Sequence, residues 1–348
     1  LSIGKKRAIG CIGKNWTDEL TYYSIPAAVV MYGGYLTVHK HVLPEHFISF
    51  IVYQLLLGEY LHGLCTVFTG LRQSIEAYRK VFEYINRMPT IGNDGQVTSD
   101  VQGDMMINSV SFKNPNRHSE PALKNLSLEL KHGETIALVG PIGGDKSSII
   151  SLIERFYEPE AGEITLDGHP IHDYHHIHYH QKVALVPQDP AIYDRSIMQN
   201  IAYGFEGAAA ADIIQAARIA NIHDFVVGLE KGYDTQCGEK GVQLSGGQRR
   251  RIAIARALFR NPAVLILEEA TTPLDTESEN IVQEVMQTCS GKRTLIVVAH
   301  KLSTIERANQ IAVINNGEVV QTGNHNELMK VEEGLYYHLV TGELKHGI

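Results

Sequence analysis

The sequence predicts an α/β domain built around a phosphate-binding loop and preceded by an all-α membrane segment. Three observations predict it: a strand, glycine-rich turn and helix carrying Lys146-Ser147; further apolar runs of strand length that each end in a polar residue; and two long apolar stretches in the first third of the chain. With 348 residues there is room for two domains. A hydrophobic fraction of 44% and a charged fraction of 20% are too polar for a chain that is membrane throughout. The 31 basic residues are outnumbered by 39 acidic ones, a net charge of -8, so the chain shows no electrostatic case for nucleic acid as its principal partner. Cys11, Cys65, Cys237 and Cys289 are widely spaced and form no Cys-x-x-Cys pair, so neither a disulfide framework nor a structural zinc site is indicated.

The chain opens on Leu1, and its basic run Lys5-Lys6-Arg7 is not followed by the compact apolar core of a signal peptide; it reads as a fragment whose N-terminal part is missing. The apolar stretches at about 20–38 and 47–71 each approach the length of a bilayer span. Lys5, Lys6, Arg7 and Lys14 precede the first, Arg72, Arg79 and Lys80 follow the second, and the connector from His39 to His46 holds only Lys40. By the positive-inside bias both outer ends are cytoplasmic. Glu59 and His62 lie within the second stretch, where a translocation path and a plain interhelical contact are both open. Ile75, Tyr78, Val81, Phe82 and Ile85 recur at helical spacing and predict a helix over 73–87. Pro89, Gly92, Asn93, Asp94 and Gly95 then mark a boundary near Thr98.

Glu134 to Val139 is a short apolar run of strand length. Gly140-Pro141-Ile142-Gly143-Gly144-Asp145-Lys146-Ser147-Ser148 follows it, and an apolar run from Ile149 to Phe156 at helical spacing comes next. In that context loop amides wrap phosphate, the helix N-terminus favours negative charge, Lys146 reaches the outer phosphates and Ser147 ligates magnesium. Asp145 stands where the pattern asks for glycine. A carboxylate about 4 Å from a phosphate oxygen opposes it by up to about 4 kcal/mol at an effective dielectric near 20.

The run Ala263 to Leu267 ends in Glu268-Glu269, the run from Thr294 ends in Ala299-His300, and Val183 to Val186 leads through Pro187 to Gln188. In a parallel, doubly wound sheet such ends converge on one crevice beside the phosphate loop. Leu244-Ser245-Gly246-Gly247-Gln248 precedes the helical run Ile252 to Phe259 and makes a second anion-receptive helix N-terminus.

Together these segments resemble the nucleotide-binding domain of an ATP-binding cassette exporter over residues 99–343. Thr272-Pro273-Leu274-Asp275 stands in the place of the D-loop and Ala299-His300-Lys301-Leu302-Ser303-Thr304 at the switch histidine. Gly232-Tyr233-Asp234-Thr235 with Gly238-Glu239-Lys240-Gly241 is similar to the loop that contacts the membrane domains in B-type exporters. The likeness is greatest to the peptide half-transporters of antigen processing and their lysosomal branch. It rests on Tyr32-Gly33-Gly34 with Leu55-Leu56-Leu57-Gly58-Glu59, on Lys80 to Ile85, and on Tyr174-x-His176-x-x-x-His180.

The resemblance implies a P-loop NTPase cassette: a RecA-like parallel core, an antiparallel β subdomain and a helical signature subdomain. It divides the chain into the end of a transmembrane domain (1–72), a linker (73–98), the cassette (99–343) and a tail (344–348). It further implies two copies head to tail, as a homodimer or heterodimer, in an intracellular membrane, lysosomal or endoplasmic reticulum, with the cassette in the cytosol and a peptide as cargo. ATP would lie against Asn114, Gly140 to Ser148 and the other copy's Ser245, Gly246, Gly247 and Gln248, near Asp275. Mg2+ would sit on Ser147, Gln188 and Glu268. Glu269 would activate the attacking water, His300 would touch the γ-phosphate and Gln188 would relay closure.

Three positions depart from that pattern: Asn114 replaces the aromatic that stacks on adenine, Asp145 replaces a glycine, and Glu268 replaces the aspartate of the magnesium shell. Losing the stack removes about 1 to 3 kcal/mol. Two functions follow: an ATP-hydrolysing half of an exporter, or a non-hydrolytic subunit that donates its signature to a partner's site. A soluble cassette ATPase of DNA repair or translation fails on the attached spans. His169, His172, His175, His176, His178 and His180 invite a metal reading, with His172, His176 and His180 on one helix face, but no Cys or acidic cluster completes the set. They read as a solvated helix leading to the Gln188 strand.

Overall fold

The structure is a computed structural model that describes residues 2–89, 91–92, 94–115, 121–141, 143–205, 207–268, 276–299 and 301–342. The chain forms two compact units, Leu1–Pro89 and Thr90–Ile348.

The first unit is a pair of long helices, α1 (Ser2–Val38) and α2 (Pro44–Ile85). Pro44 sits in the first turn of α2, where its missing N–H costs nothing, and no proline follows to break the helix. The helical segment expected over 73–87 is the continuation of α2, which runs without interruption to Ile85. Its 42 residues rise about 63 Å, roughly twice a bilayer core. Likewise α1 begins well before residue 20 and continues through Pro26. Phe47 of α2 packs on Gly33 of α1, where any Cβ would overlap its ring. His62 meets the Tyr22 ring edge-on at 6.5 Å, an interhelical contact, while Glu59 is exposed. Among the described helices only α2 is both long and apolar enough to cross a membrane. Tyr22, Tyr23, Tyr32 and Tyr35 dilute the apolar stretch of α1.

The second unit runs β1 (Met105–Phe112), β2 (Leu123–Leu130), β3 (Thr135–Val139), α3 (Lys146–Ile153), β4 (Ala161–Leu166), β5 (His169–Pro170), α4 (His176–Lys182), β6 (Val183–Val186), α5 (Ile197–Ile201), α6 (Ala210–Ile219), α7 (His223–Val227) and α8 (Gly246–Phe259). It continues through β7 (Val264–Glu268), α9 (Thr276–Cys289), β8 (Thr294–Val298), α10 (Leu302–Ile305), β9 (Gln310–Asn315), β10 (Glu318–Gly323), α11 (His325–Leu328) and α12 (Leu335–Thr341).

A four-stranded antiparallel sheet has the order β2-β1-β4-β5, and a six-stranded sheet the order β10-β9-β3-β8-β7-β6. In the larger sheet β9, β3, β8, β7 and β6 are parallel and β10 is antiparallel at the edge. Alternate residues of each central strand point to opposite faces. Ala137, Val139, Leu265, Leu267, Leu295 and Val297 pack with α6, α8 and α9. Ile136, Leu138, Ile266, Ile296 and Val298 pack with α3 and the antiparallel sheet. Burial on both faces explains why these strands read as unbroken apolar runs. The apolar helix expected to reach Phe156 stops at Ile153, because Arg155 takes a left-handed φ of 52° and leaves Phe156 57% exposed.

Candidate nucleotide site

The register of the parallel strands brings their carboxyl ends to one level. Leu138 pairs with Val298 and Val298 with Glu268, while Val186 pairs with Leu267. The loop after β3, Glu268 at the end of β7 and Gln188 two residues past β6 therefore share one edge of the sheet. At that loop Gly140 abuts the Ile314 carbonyl of β9 so closely that a Cβ would collide with it. Gly143 has φ 83° and open space where a side chain would stand. Gly144 donates its N–H to the Pro141 carbonyl at 3.0 Å, closing the turn.

Lys146, the first residue of α3, is 6% exposed. Its Nζ donates to the carbonyls of Gly140 at 2.7 Å and Pro141 at 3.1 Å, and burial pushes its pKa below the ordinary lysine value. The ammonium is thus held over the concave face of the loop. Asp145 caps the same helix with φ 60° and ψ 23°, a left-handed conformation that suits the glycine expected there. Its side chain does not accept a bond from the helix N-terminus. Ser148 donates its N–H to the Asp145 carbonyl at 3.0 Å, and Ser147 is exposed.

Across the crevice, the hydroxyl of Ser147 donates to Glu268 Oε1 at 3.4 Å. Both groups are oxygen donors of the kind that magnesium takes. Arg250, 3% exposed on α8, donates from Nη2 to the main-chain carbonyl of Glu268 at 2.8 Å. Arg250 is not among the site residues that the sequence singles out. Its distance of four residues from Ile254, on the buried face of α8, was the available clue. Gln188 is exposed two residues past β6, and Asn114 is half-buried two residues past β1 of the antiparallel sheet.

Ser245 is the N-cap of α8. Its hydroxyl accepts from the Gln248 N–H at 3.2 Å, and Gln248 Oε1 accepts from the Ser245 N–H at 2.8 Å, a complete capping box. Ser245 and Gly246 are exposed, and a Cβ on Gly246 would meet nothing within 4 Å. The helix N-terminus is therefore open to a ligand arriving from outside the subunit. Gly247 is buried beneath it.

Ile142, Glu269, Asp275 and His300 lie outside the described residues, as do Thr272 to Leu274. Of the histidine run, His172 belongs to a single turn before α4 and lies 3.4 Å from Asp173, so the face expected to join His172, His176 and His180 is corrected to His176 and His180 alone. Burial, then His180, Arg155 and His175, hold the His176 pKa below the ordinary histidine value. His178 Nε2 lies 2.9 Å from the Ser99 carbonyl, and its ring is parallel to that of Tyr174.

Residues 123–272 match the family described as ABC transporter. The chain is 40% identical over 343 residues to an ABC-type oligopeptide transporter, ABCB9, of Rattus norvegicus, covering 98% of this chain and 45% of that protein. It is 39% identical over 327 residues to ABC transporter B family member 4 of Dictyostelium discoideum, covering 94% and 42%. A bacterial Atm1-family ABC exporter solved with ATP bound superposes with a TM-score of 0.73 at 31% identity, covering 99% of this chain and 60% of that one. Residues 123–272 form an ABC transporter domain, and nearly the whole chain is similar to B-type ABC exporters. Its phosphate loop, acid strand and signature helix are those of an ABC cassette, and the chain spans about half the length of the curated relatives it matches.

Proposed function

We propose that this chain is the ATP-hydrolysing half of an ABC exporter that moves peptides across a membrane. The observation that carries the reading is the approach of Ser147 to Glu268 beside the buried Lys146. A cassette that had lost its own nucleotide would have no use for a carboxylate and a hydroxyl held together at the loop, so this pair favours catalysis over the alternative of a subunit that only lends its signature.

Loop amides from Gly140 to Ser148 would bind the β- and γ-phosphates, with Lys146 exchanging its carbonyl partners for phosphate oxygens. Ser147, Glu268 and Gln188 would hold Mg2+, whose charge neutralises the phosphates. Glu269 would orient and deprotonate water, and His300 would contact the γ-phosphate. The exposed Ser245 and Gly246 support the reading that this signature serves a second copy or a related half-transporter. Peptide cargo follows from the oligopeptide transporter named among the relatives. A lysosomal or endoplasmic reticulum membrane follows from the sequence likeness to the peptide half-transporters.

The test is Mg-ATP binding and phosphate release by the chain reconstituted in lipid, followed by ATP-dependent uptake of labelled peptides into vesicles. Micromolar binding with hydrolysis that Glu269→Gln abolishes supports the proposal. Absence of binding at millimolar ATP would leave only the lending role.

A further inference from the structure

We propose that His176 and His180 of α4, backed by the buried carboxylate of Glu154, bind one divalent cation of the zinc class, at a site separate from the nucleotide residues. The two histidines are four residues apart and share a helix face. Their ring centroids are 4.5 Å apart with planes at 72°, so the two imidazoles are neighbours on that face. His176 Nδ1 is buried without a hydrogen-bond partner.

The acid that the sequence did not reveal comes from another element. Glu154 caps the C-terminus of α3 and is 6% exposed; its Oε2 lies 3.5 Å from His180 Nδ1, and its Oε1 is buried with no partner. A buried carboxylate with an open lone pair costs free energy, and a cation on the adjacent imidazoles supplies the missing charge. Among the described residues no three His, Cys, Asp or Glu side chains are grouped to hold an ion directly. The protein therefore gives two ligands and Glu154 acts from behind. Its Oε2 stands 3.5 Å from His180 Nδ1, which leaves Nε2 to the ion, with water completing the coordination. The His180 side chain is 24% exposed, so an ion has a way in. Imidazole donors select zinc, copper, nickel or cobalt over calcium or magnesium, which need an oxygen cage. Occupied, the site would tie the end of α3, which starts at the phosphate loop, to α4, which leads into β6 and Gln188.

The experiment titrates the full chain, stripped of metal in detergent, with Zn2+ by calorimetry and with Co2+ by visible absorption. One saturable site in the micromolar range is expected. It disappears in His176→Asn and in His180→Asn, persists in His172→Asn, and weakens about 10-fold to 100-fold in Glu154→Gln. Zn2+ raises the unfolding midpoint of the parent chain and not of the two histidine variants, which decide the matter if Glu154→Gln fails to fold. A titration without saturation below millimolar Zn2+, or a site untouched by both histidine variants, overturns the proposal.

Discussion

Replacing Asp145 separates backbone strain from charge at the phosphate loop. At φ 60° and ψ 23° a side chain costs about 1 to 2 kcal/mol, and less for aspartate, which tolerates this region. Glycine relieves that strain but adds about 0.4 to 1 kcal/mol of freedom to the unfolded chain. The two nearly cancel, so the unfolding midpoint of Asp145→Gly should hardly move. Nucleotide affinity behaves differently. A carboxylate about 4 to 7 Å from a phosphate opposes it by about 2 to 4 kcal/mol at an effective dielectric near 20. With screening by magnesium and solvent, about 1.4 kcal/mol remains, a tenfold gain in Mg-ATP affinity for Asp145→Gly. Asp145→Asn removes only the charge and keeps a side chain suited to the left-handed region, so it should recover most of the gain. Asp145→Ala removes the charge but not the strain, binds more tightly and unfolds about 1 kcal/mol more easily. Fluorescent-nucleotide titration and thermal melts read the two effects independently. The reasoning is refuted if Asp145→Asn and Asp145→Gly both stay within twofold of the parent affinity.

Lys146→Met should abolish Mg-ATP binding while changing stability by less than about 1 kcal/mol, since losing two hydrogen bonds offsets relief from burying a cation. Because burial lowers the Lys146 pKa from 10.5, the folded state releases its proton first; the parent gains stability relative to this variant as pH rises toward 10.5, which melts across alkaline pH would show. Ser245→Ala should cost about 1 kcal/mol of unfolding free energy through the lost cap, with Ser245→Thr close to the parent in the same melt. For Glu284, burial raises the pKa, but hydrogen bonds from Asn221 and Arg251, both at 3.0 Å, outweigh it and leave the value below 4.5. The stabilisation is therefore complete above that value and lost as pH falls through the lowered one. At 42% side-chain exposure it is under about 1 kcal/mol, so an acid titration should show Glu284→Gln merging with the parent at low pH.

The central sheet was legible because burial on both faces leaves unbroken apolar strands, and the phosphate loop because its turn needs glycines at fixed spacing. The limits of helices were harder to see. Nothing in the apolar run Ile149 to Phe156 announces the left-handed Arg155 that ends α3, and only uninterrupted backbone geometry joins 73–85 to the rest of α2. Contacts between distant segments were invisible for the same reason. Glu154 is eight residues past Lys146 in sequence yet faces His180, and Arg250 of α8 reaches the backbone of Glu268 at the far end of the next strand. Periodicity reports which face a residue occupies; it does not report what lies opposite.

The bond from Arg250 to the Glu268 carbonyl gives the cassette a mechanical property. The signature helix grips the main chain of the acid strand, so any tilt of α8 on meeting a neighbouring molecule would pull on the tip of β7 beside its own nucleotide. In the proposed pairing of two copies, this bond would be one route by which nucleotide on one cassette is felt at the other.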